Sequence, residues 1–434
     1  MRAGVVGAGY VGLATAVGLA RRGRHTVCVD TDAAKVDGLR TGACALDEPG
    51  LTELLAAGIA AGTLEFSTDY GALAGCDAVF VCVPTPSGAD GGADLGAVHA
   101  CLAELKRVLT AGAIVVIKST VPVGTTGAAA DFLSASAIHA VSNPEFLREG
   151  HAVADAMHPD RIVIGTPDRE VAARVGALYG TDGSEPSTKV LWMSRESAEL
   201  AKYASNAFLA VKLSYTNALA QLCAEVGADI RDVTGCMGAD ERIGAHFLQP
   251  GPGWGGSCLP KDTAALLHTG RQHGLELSEV AAARATNAAQ TDRILTTLSR
   301  HTGRPLASMR VTALGLTFKA GTGDVRASPA LAICGALTAA GTEVTGHDPR
   351  LDVIDTAVLR RCAITAVNDP YLATKGSDAI VVLTEWPEFR DLDWARIAEH
   401  APGAVVIDTR NLLDRTGLAG TGLTYLGNGT PSGF

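Results

Sequence analysis

A cysteine beside a Gly-rich run has the surroundings of a nucleophile. Cys258 follows Gly255-Gly256-Ser257 and precedes Leu259-Pro260-Lys261-Asp262. The flanking glycines could expose the sulfur, and a cation and a carboxylate follow it closely. Only the thiolate of a cysteine attacks, so nearby positive charge would favour reaction. Single cysteines are often buried apolar residues, so this pattern alone leaves both interpretations open.

A lysine and an asparagine lie four positions apart in a long stretch that has no Pro or Gly. The stretch runs from Glu196 to Val226 and predicts one helix of about thirty residues. Lys202 and Asn206 therefore share a face of that helix. The lysine could transfer a proton and the asparagine could donate a hydrogen bond to an oxyanion. The alternative is a solvated lysine and a surface asparagine.

A Gly-rich turn near the amino terminus has the spacing of a dinucleotide-binding fingerprint. The apolar strand Ala3-Val6 leads into Gly7-Ala8-Gly9-Tyr10-Val11-Gly12 and then an Ala/Leu-rich stretch. Its glycines permit a tight turn, close approach of backbone to a pyrophosphate, and close helix–strand packing. Asp30 ends the next predicted strand, where a carboxylate can bind ribose hydroxyls and would repel a 2′-phosphate. The pattern predicts NAD binding; the alternative is a structural turn followed by a helix-capping aspartate.

Together, a hydride acceptor and a cysteine nucleophile predict carbon oxidation beyond the alcohol level. A thiol adds to an aldehyde, the thiohemiacetal loses hydride, and the resulting thioester is hydrolysed. An alcohol dehydrogenase that stops at the aldehyde would not need Cys258. A non-catalytic dinucleotide-sensing scaffold would need neither Cys258 nor Lys202.

The elements that must position these residues follow an α/β pattern, in which short apolar runs alternate with helix-like stretches. Because the runs are continuously apolar, we expect strands buried on both faces. We predict two Rossmann-like doubly wound parallel-sheet domains joined by a long central helix and a helical domain, with boundaries at 1–195, 196–300 and 301–434. The predicted strands are Ala3-Val6, His25-Val29, Ala78-Val83, Ile114-Ile117, Ile138-Val141, Arg161-Ile164, Arg310-Leu314, Glu343-Gly346, Ala379-Leu383 and Val405-Ile407.

Composition narrows the functional classes. The 434 residues carry a net charge of −10, without a basic run that would suit nucleic acid. The amino terminus lacks the pattern of a signal peptide, and the apolar runs are too short to span a membrane. The ten cysteines and eleven histidines are scattered, without metal-ligand spacing. We therefore expect a cytoplasmic protein with reduced thiols, no metal, and neither nucleic acid nor membrane as a partner.

Five ordered motifs resemble the UDP-glucose/GDP-mannose dehydrogenase family over nearly the whole length of the chain. They are Gly7–Gly12, Ser119-Thr120-Val121-Pro122-Val123-Gly124-Thr125, Asn143-Pro144-Glu145-Phe146-Leu147-Arg148-Glu149-Gly150, Gly255–Asp262 and Gly315-Leu316-Thr317-Phe318-Lys319-Ala320-Gly321-Thr322. The resemblance implies two successive NAD-dependent oxidations that turn the C6 hydroxymethyl of a nucleotide sugar into a carboxylate. In a UDP-glucose-specific member the product would be UDP-glucuronate.

The resemblance also implies a role for each matching residue. Cys258 would carry the thiohemiacetal and thioester, Lys202 would transfer protons and stabilise the oxyanion, and Asn206 would assist with the oxyanion. The hydrolytic water would be held or activated by Thr120, Glu145 and Asp262. On the residues alone, Thr120 could instead cap a turn, Glu145 could pair with Arg148 or another cation, and Asp262 could cap a helix.

Two binding sets are implied in the same way. For the cofactor they are Gly7, Gly9, Tyr10, Val11, Gly12, Asp30, Lys35, Pro84, Thr85, Pro86, Ser119, Thr120, Glu149, Lys261 and Arg326. For the nucleotide sugar they are Glu145, Phe146, Leu147, Arg148, Glu149, Lys202, Asn206, Arg242, Gln249, Gly251, Gly253, Trp254, Gly255, Phe318, Lys319 and Arg410. Cations suit a diphosphate, and the glycines offer backbone amides.

In the family, the residue matching Arg242 can reach a neighbouring subunit, which implies a homodimer built on the central helical domain. A local salt bridge of Arg242 with Asp240 or Glu241 is the alternative. The chain departs from the family pattern at three positions, Phe247, Trp254 and Gly323. These departures bear on sugar or base preference.

The substrate branch is predicted from two further segments. Asp240–Gly244 and Asn206–Lys212 resemble the UDP-glucose branch. GDP-mannose is therefore the second expectation, and an N-acetylhexosamine nucleotide is the third.

Overall fold

The computed structural model describes residues 1–180, 188–431 and 433–434. They form two compact units. The first unit comprises Met1–Ser205 with Ala264–Leu275, and the second comprises Asn206–Thr263 with Glu276–Phe434. The boundary near Ser205 falls inside the long helix that the sequence predicts. The three-domain division at 1–195, 196–300 and 301–434 stays a prediction.

The first unit is built on a sheet whose strand order is β3-β2-β1-β4-β5-β6-β7-β8. Strands β1 to β6 pair in parallel, whereas β7 runs antiparallel to β6 and parallel to β8. The strands are β1 (Arg2–Val6), β2 (His25–Val29), β3 (Leu64–Ser67), β4 (Ala78–Val81), β5 (Ile114–Ile117), β6 (His139–Ser142), β7 (Arg161–Gly165) and β8 (Lys189–Met193).

Helices cover both faces of this sheet, which is why its central strands are apolar throughout. One core packs around Phe80 and Val116, and the other around Val81 and Ile117. The helices are α1 (Tyr10–Arg21), α2 (Ala33–Arg40), α3 (Leu51–Ala60), α4 (Gly96–Val108), α5 (Thr125–Ser134), α6 (Ala152–Met157) and α7 (Arg169–Leu178), with a 3-10 turn at Tyr70–Leu73.

The central helices carry the chain from the first unit into the second. They are α8 (Arg195–Val226), α9 (Ile230–Gly238), α10 (Leu259–Gln272) and α11 (Ser278–Thr302). The long helix α8 begins one residue before the predicted start and ends at the predicted Val226. Its length follows from the absence of helix breakers over this stretch.

The second unit contains a six-stranded sheet in the order β11-β10-β9-β12-β13-β14, with every pair parallel. Its strands are β9 (Arg310–Leu314), β10 (Glu343–His347), β11 (Thr365–Ala366), β12 (Ala379–Val382), β13 (Val405–Asp408) and β14 (Thr424–Gly427). Its helices are α12 (Pro329–Ala339), α13 (Thr356–Arg361), α14 (Pro370–Ala373), α15 (Trp394–His400) and α16 (Arg415–Leu418), with 3-10 turns at Leu306–Ser308 and Pro387–Phe389.

The predicted fold class is confirmed, with one antiparallel junction in the first sheet. All ten predicted strands are present, with ends that differ by two residues or fewer. Sequence reasoning missed β3, β8, β11 and β14, which are the four edge strands. An edge strand need not be buried on both faces: β3 alternates buried Leu64 and Phe66 with exposed Glu65, and the residues of β8, although largely apolar, are mostly exposed.

Candidate active site

The Gly-rich turn of the first unit has a shape that fits a dinucleotide. Gly7 has φ +97°, and a Cβ on it would lie 2.6 Å from the carbonyl oxygen of Cys82. A Cβ on Gly12 would lie 1.7 Å from the carbonyl oxygen of Gly7, so helix α1 can start against β1 only with glycine there. Gly9 is exposed, and no atom lies within 4 Å of the place its Cβ would occupy. The amino end of α1 is therefore open to a phosphate, which helix N-termini attract.

Asp30 stands at the end of β2, beside this turn. Its Oδ2 accepts a hydrogen bond from the Ala8 amide at 2.7 Å and lies 3.1 Å from the Lys35 ammonium, and its Oδ1 accepts from the Asp32 amide. Burial by itself would raise the pKa of Asp30, but the two amides and Lys35 outweigh burial and place the pKa below its ordinary value. Asp30 is thus an anion at neutral pH. Asp32, not Asp30, caps helix α2.

The ends of β4 and β5 carry the next two cofactor segments. The Thr85 hydroxyl donates to the Thr120 carbonyl at 2.8 Å, and the Ser119 hydroxyl donates to the Val83 carbonyl at 2.7 Å. These bonds tie Pro84-Thr85-Pro86 to the loop after β5. Because both loops leave the carboxyl ends of parallel strands, they lie at the same edge of the sheet as the Gly-rich turn.

Glu145 and Lys202 form a buried ion pair in the first unit. Their Oε1 and Nζ atoms are 2.9 Å apart, and their side chains are 8% and 4% exposed. Glu145 Oε2 accepts from the Leu147 amide at 2.5 Å. Burial alone would raise the pKa of Glu145, but Lys202, the Leu147 amide and Lys118 together hold it below its ordinary value. The cation that pairs with Glu145 is therefore Lys202; Arg148 pairs with Asp155 instead.

The segment after Glu145 is held by contacts along its length. The Phe146 ring lies 3.7 Å from the Arg161 guanidinium and 5.3 Å from the Lys202 ammonium. The Gly150 amide donates to the carboxylate of Glu48 at 2.9 Å. Glu149 is half-buried between these anchors. The predicted substrate segment Glu145 to Glu149 is thus fixed at both ends.

Two buried charged residues of this region were missed by sequence reasoning. The Glu199 carboxylate accepts from the Gly124 amide, the Thr126 amide and the Thr126 hydroxyl at 2.6 to 2.7 Å, and so ties α8 to the loop that carries Thr120. The Lys118 ammonium donates to Asn143 and to the Tyr179 hydroxyl. An acid one turn before Lys202, and a lysine directly after a buried strand, were the available signals.

In the second unit, Cys258 occupies the N-cap position of α10. Its carbonyl accepts the first helical hydrogen bond, from the Asp262 amide at 2.8 Å. The Ser257 hydroxyl lies 3.6 Å from the Cys258 sulfur, and the residue is half-buried. A helix N-terminus favours negative charge on atoms placed there, as a thiolate requires.

Asn206 and Lys261 converge on one buried carboxylate. The Asn206 amide nitrogen donates to Asp262 Oδ2 at 2.6 Å, and the Lys261 ammonium lies 2.5 Å from Asp262 Oδ1. Asp262 is 0% exposed. An amide NH₂ carries two hydrogens, so Asn206 retains one donor beyond its bond to Asp262. The predicted residues Asn206, Lys261 and Asp262 therefore form one cluster in the first turn of α10 and the adjoining part of α8.

The loop before Cys258 is shaped by glycines that other side chains press against. A Cβ on Gly251 would lie 2.8 Å from the Arg410 guanidinium, and one on Gly255 would lie 2.0 Å from the Ala327 carbonyl oxygen. Trp254 is buried, and its indole nitrogen donates to the Ser214 hydroxyl at 2.8 Å. Asn287 bonds both the amide and the carbonyl of Trp254. Gly253 is half-buried and Gln249 is exposed in the same loop.

The remaining predicted substrate cations and Phe318 lie in the second unit. Arg410 pairs with Glu385 at 3.1 Å and Lys319 lies beside the Phe318 ring. Arg242 pairs with Asp240 at 2.6 Å, which is the local salt bridge expected as its alternative role. Arg326 pairs with Asp324 at 2.7 Å. Gly323 leaves room for Val353, whose Cγ2 would be 2.4 Å from a Cβ there.

Within the described residues, no group of three or more His, Cys, Asp or Glu side chains is arranged to hold a metal ion. Among the described helices, none is both long enough and apolar enough to cross a membrane.

Comparisons with known proteins point to the same family along the whole chain. Three family models match in order: the NAD binding domain of the UDP-glucose/GDP-mannose dehydrogenase family over residues 1–181, its central domain over 196–289, and its UDP binding domain over 312–415. UDP-glucose 6-dehydrogenase of Rhizobium meliloti is 40% identical over 447 residues, covering 99% of this chain and all of the relative.

Two solved structures are similar over the full length. A UDP-glucose dehydrogenase from Pyrobaculum islandicum has a TM-score of 0.89 and 36% identity, covering 99% of this chain and 98% of the other. A UDP-D-ManNAc dehydrogenase from Pyrococcus horikoshii has a TM-score of 0.88 and 25% identity, with both chains covered in full. This chain belongs to the UDP-glucose/GDP-mannose dehydrogenase family, with an amino-terminal NAD binding domain and a carboxyl-terminal UDP binding domain.

Proposed function

We propose that this NAD-dependent dehydrogenase oxidises the C6 hydroxymethyl of UDP-glucose to the carboxylate of UDP-glucuronate. The observation that carries the proposal is the half-buried Cys258 at the N-terminus of α10, with Lys261 and the buried Asp262 in the first turn of that helix and Asn206 of α8 bonded to Asp262. A dinucleotide-sensing scaffold would need no such arrangement. When bound, NAD supplies the hydride acceptor for each of the two oxidations.

The first oxidation needs a group that takes the hydroxyl proton. The proposal assigns this role to Lys202, which lies 2.9 Å from Glu145: its ammonium passes a proton to that carboxylate, and the resulting amine takes the hydroxyl proton. Burial of the pair keeps water away from Nζ, so a proton moves between Nζ, the substrate oxygen and Glu145 rather than to solvent. Loss of the hydroxyl proton and of hydride from C6 gives the aldehyde.

The second oxidation needs the cysteine. The Cys258 sulfur adds to the aldehyde carbon and forms a thiohemiacetal, whose oxygen carries the developing negative charge. The second N–H of Asn206 is the proposed donor to that oxygen, because its first N–H is held by Asp262. Loss of a second hydride leaves a thioester on Cys258.

Hydrolysis completes the reaction and frees the thiol. A water molecule attacks the thioester carbon, the C–S bond breaks, and the proton of the water passes to a carboxylate and then to sulfur. Glu145 and Asp262 are the proposed carboxylates, and the proposal places Thr120 beside the water. The lowered pKa of Glu145 keeps it ionised at neutral pH and able to accept that proton. The full reaction consumes two NAD for each sugar.

We propose UDP-glucose as the substrate, ahead of other nucleotide sugars, on the basis of sequence identity. Identity is 36% to the UDP-glucose dehydrogenase structure and 25% to the UDP-D-ManNAc dehydrogenase structure, although the two folds match almost equally well. The family name also covers GDP-mannose, which remains the second candidate.

A homodimer is part of the proposal. On α8, exposed apolar residues recur at intervals of seven and four: Phe208, Tyr215, Leu222 and Val226 are 56% to 66% exposed. Such an apolar stripe on a long helix suits a second copy of the same helix. We also propose a cytoplasmic location, since none of the ten cysteines, all of which lie in the described residues, forms a disulfide.

A substrate panel tests the activity. Purified protein with NAD is offered UDP-glucose, GDP-mannose and a UDP-N-acetylhexosamine, and NADH is counted per sugar consumed. We expect two NADH per UDP-glucose and a carboxylate product. One NADH with free aldehyde, or turnover of another sugar alone, would contradict the proposal.

A further inference from the structure

The two sheets have the same strand order and the same local arrangement at the end of their first strand, which we call the corner. In each, the first strand of the fold ends in a glycine with positive φ: Gly7 at +97° and Gly315 at +94°. Each glycine amide donates to the last residues of the second strand at 2.8 Å, to Val29 in one case and His347 in the other. The corner of the second sheet therefore repeats the strand-to-glycine turn with which a dinucleotide-binding site begins.

An aspartate follows the second strand in both corners. Asp30 and Asp348 each accept from the amide one residue after that glycine, at 2.7 Å. By topology, Asp348 occupies the place of a ribose-binding acid. Its surroundings differ from those of Asp30.

Asp348 is saturated by donors from the protein itself. Its Oδ2 accepts from the amides of Leu316 and Thr317, the Thr317 hydroxyl and the Trp386 indole, at 2.7 to 3.2 Å. Its Oδ1 accepts from the Arg350 amide at 2.8 Å, and the residue is 2% exposed. These donors saturate Oδ2, and because the residue is buried, a ribose hydroxyl has no access to the remaining lone pair of Oδ1.

The corner of the second sheet also lacks a helix N-terminus placed to bind phosphate. After Gly7, helix α1 begins at Tyr10, and its amino end faces open space at Gly9. After Gly315, the next helix of the chain, α12, begins only at Pro329. No helix N-terminus therefore follows the second glycine closely enough to receive a pyrophosphate.

What the saturated acid does instead is fix a loop. Thr317 is held through its carbonyl by the Thr384 hydroxyl at 2.6 Å, in addition to its bonds with Asp348 and Trp386. The next residue, Phe318, places its ring edge 2.8 Å from the position of a Cβ on Gly256. Gly256 has φ +80° and lies two residues before Cys258. The loop thereby supports the nucleophile segment.

We infer that Asp348 and Trp386 are a positioning pair that fixes Phe318 and Lys319 for the nucleotide sugar. The inference rests on the proposed function, because it assigns the loop to the substrate of that reaction. Asp30 is the aspartate that binds the dinucleotide, and Asp348 is its counterpart with a structural role.

The same substitution in both corners tests the inference. Asp348→Asn replaces one carboxylate oxygen by an NH₂ donor and should raise KM for the nucleotide sugar about tenfold while KM for NAD changes less than about twofold. Asp30→Asn should do the reverse. Trp386→Phe removes the indole donor together with part of the ring and should follow Asp348→Asn with a smaller change, about threefold. A rise in KM for NAD in Asp348→Asn, or unchanged KM values in both Asp348→Asn and Trp386→Phe, would overturn it.

Trp394→Phe is the matched control. The Trp394 indole donates to the Phe389 carbonyl and not to the Asp348 cluster, so both KM values should stay unchanged. If Asp348→Asn does not fold, Trp386→Phe decides. If the unaltered protein prefers another nucleotide sugar, the proposed function fails and the comparison is run with that sugar. If it turns over none, calorimetry with UDP and with NAD decides, since only UDP binding should weaken in Trp386→Phe.

Discussion

The environment of Cys258 differs from that of the buried cysteines. Burial raises the pKa of Cys101 and Cys334 to about 12, so both are neutral thiols at pH 7. Cys258 is half-buried at a helix N-terminus, with a hydroxyl beside its sulfur. Residue type therefore does not distinguish the proposed nucleophile from the other cysteines; its position at the start of α10 does.

Cys258→Ala should abolish acid formation, with a loss of about 10³-fold or more, because the covalent route is removed. NAD binding should stay unchanged, since its cradle lies at the Gly-rich turn. NADH release and calorimetry with NAD measure the two effects. Cys236→Ala, which alters an exposed cysteine, is the control and should retain activity. Acid production by Cys258→Ala at the unaltered rate would exclude a covalent role.

At the scale of elements, α8 and the strand ends position the charged groups. Helix α8 presents Glu199 to the Thr120 loop and, one turn later, Lys202 to Glu145. Burial raises the pKa of Glu199, and its hydrogen bonds to Thr126 and Gly124 offset only part of that effect. One rigid helix thus holds the loops after β5 and β6 together.

Glu145→Gln should lower the stability of the first unit by about 3 kcal/mol at pH 7, because it leaves Lys202 buried without its carboxylate. The folded-state pKa of Glu145 is lowered, so the pair stabilises fully above the ordinary value of 4.5 and loses this contribution as pH falls through the folded pKa. The difference in Tm between variant and unaltered protein should therefore shrink as the pH falls below the ordinary value of 4.5.

Thermal melts at several pH values measure this effect. Glu104→Gln, which removes an exposed salt bridge with Arg107, is the control and should change stability by less than about 1 kcal/mol. A gap in Tm that stays constant from pH 7 to pH 3 would argue against an ionised Glu145 as its source.

The whole molecule is proposed to be a dimer through the apolar stripe of α8. Phe208→Glu with Leu222→Glu should weaken self-association at least about hundredfold, since each buries a charge in the interface. Light scattering across a dilution series measures the change. Leu372→Glu, at an apolar residue of similar exposure on α14, should leave the assembly intact. If the unaltered protein is monomeric at micromolar concentration, the apolar stripe of α8 is not a dimer interface.

Local patterns in the sequence were sufficient for several features of this protein. The glycine spacing at Gly7–Gly12, the aspartate at the end of β2, the central strands and the breaker-free helix α8 all depend on near neighbours in the chain, so residue type and spacing reveal them. The same kind of local pattern made Cys258, Lys202 and Asn206 candidates, and the family resemblance added Thr120, Glu145 and Asp262.

Other features were decided only by the tertiary structure. Whether Glu145 pairs with Arg148 or Lys202, and what saturates Asp348, depends on residues that are distant in sequence and meet when the chain folds. Two acids at equivalent strand ends read alike in sequence. Burial and the number of donors around each carboxylate distinguish them: we propose one as a ligand for a cofactor and the other as a support for a loop.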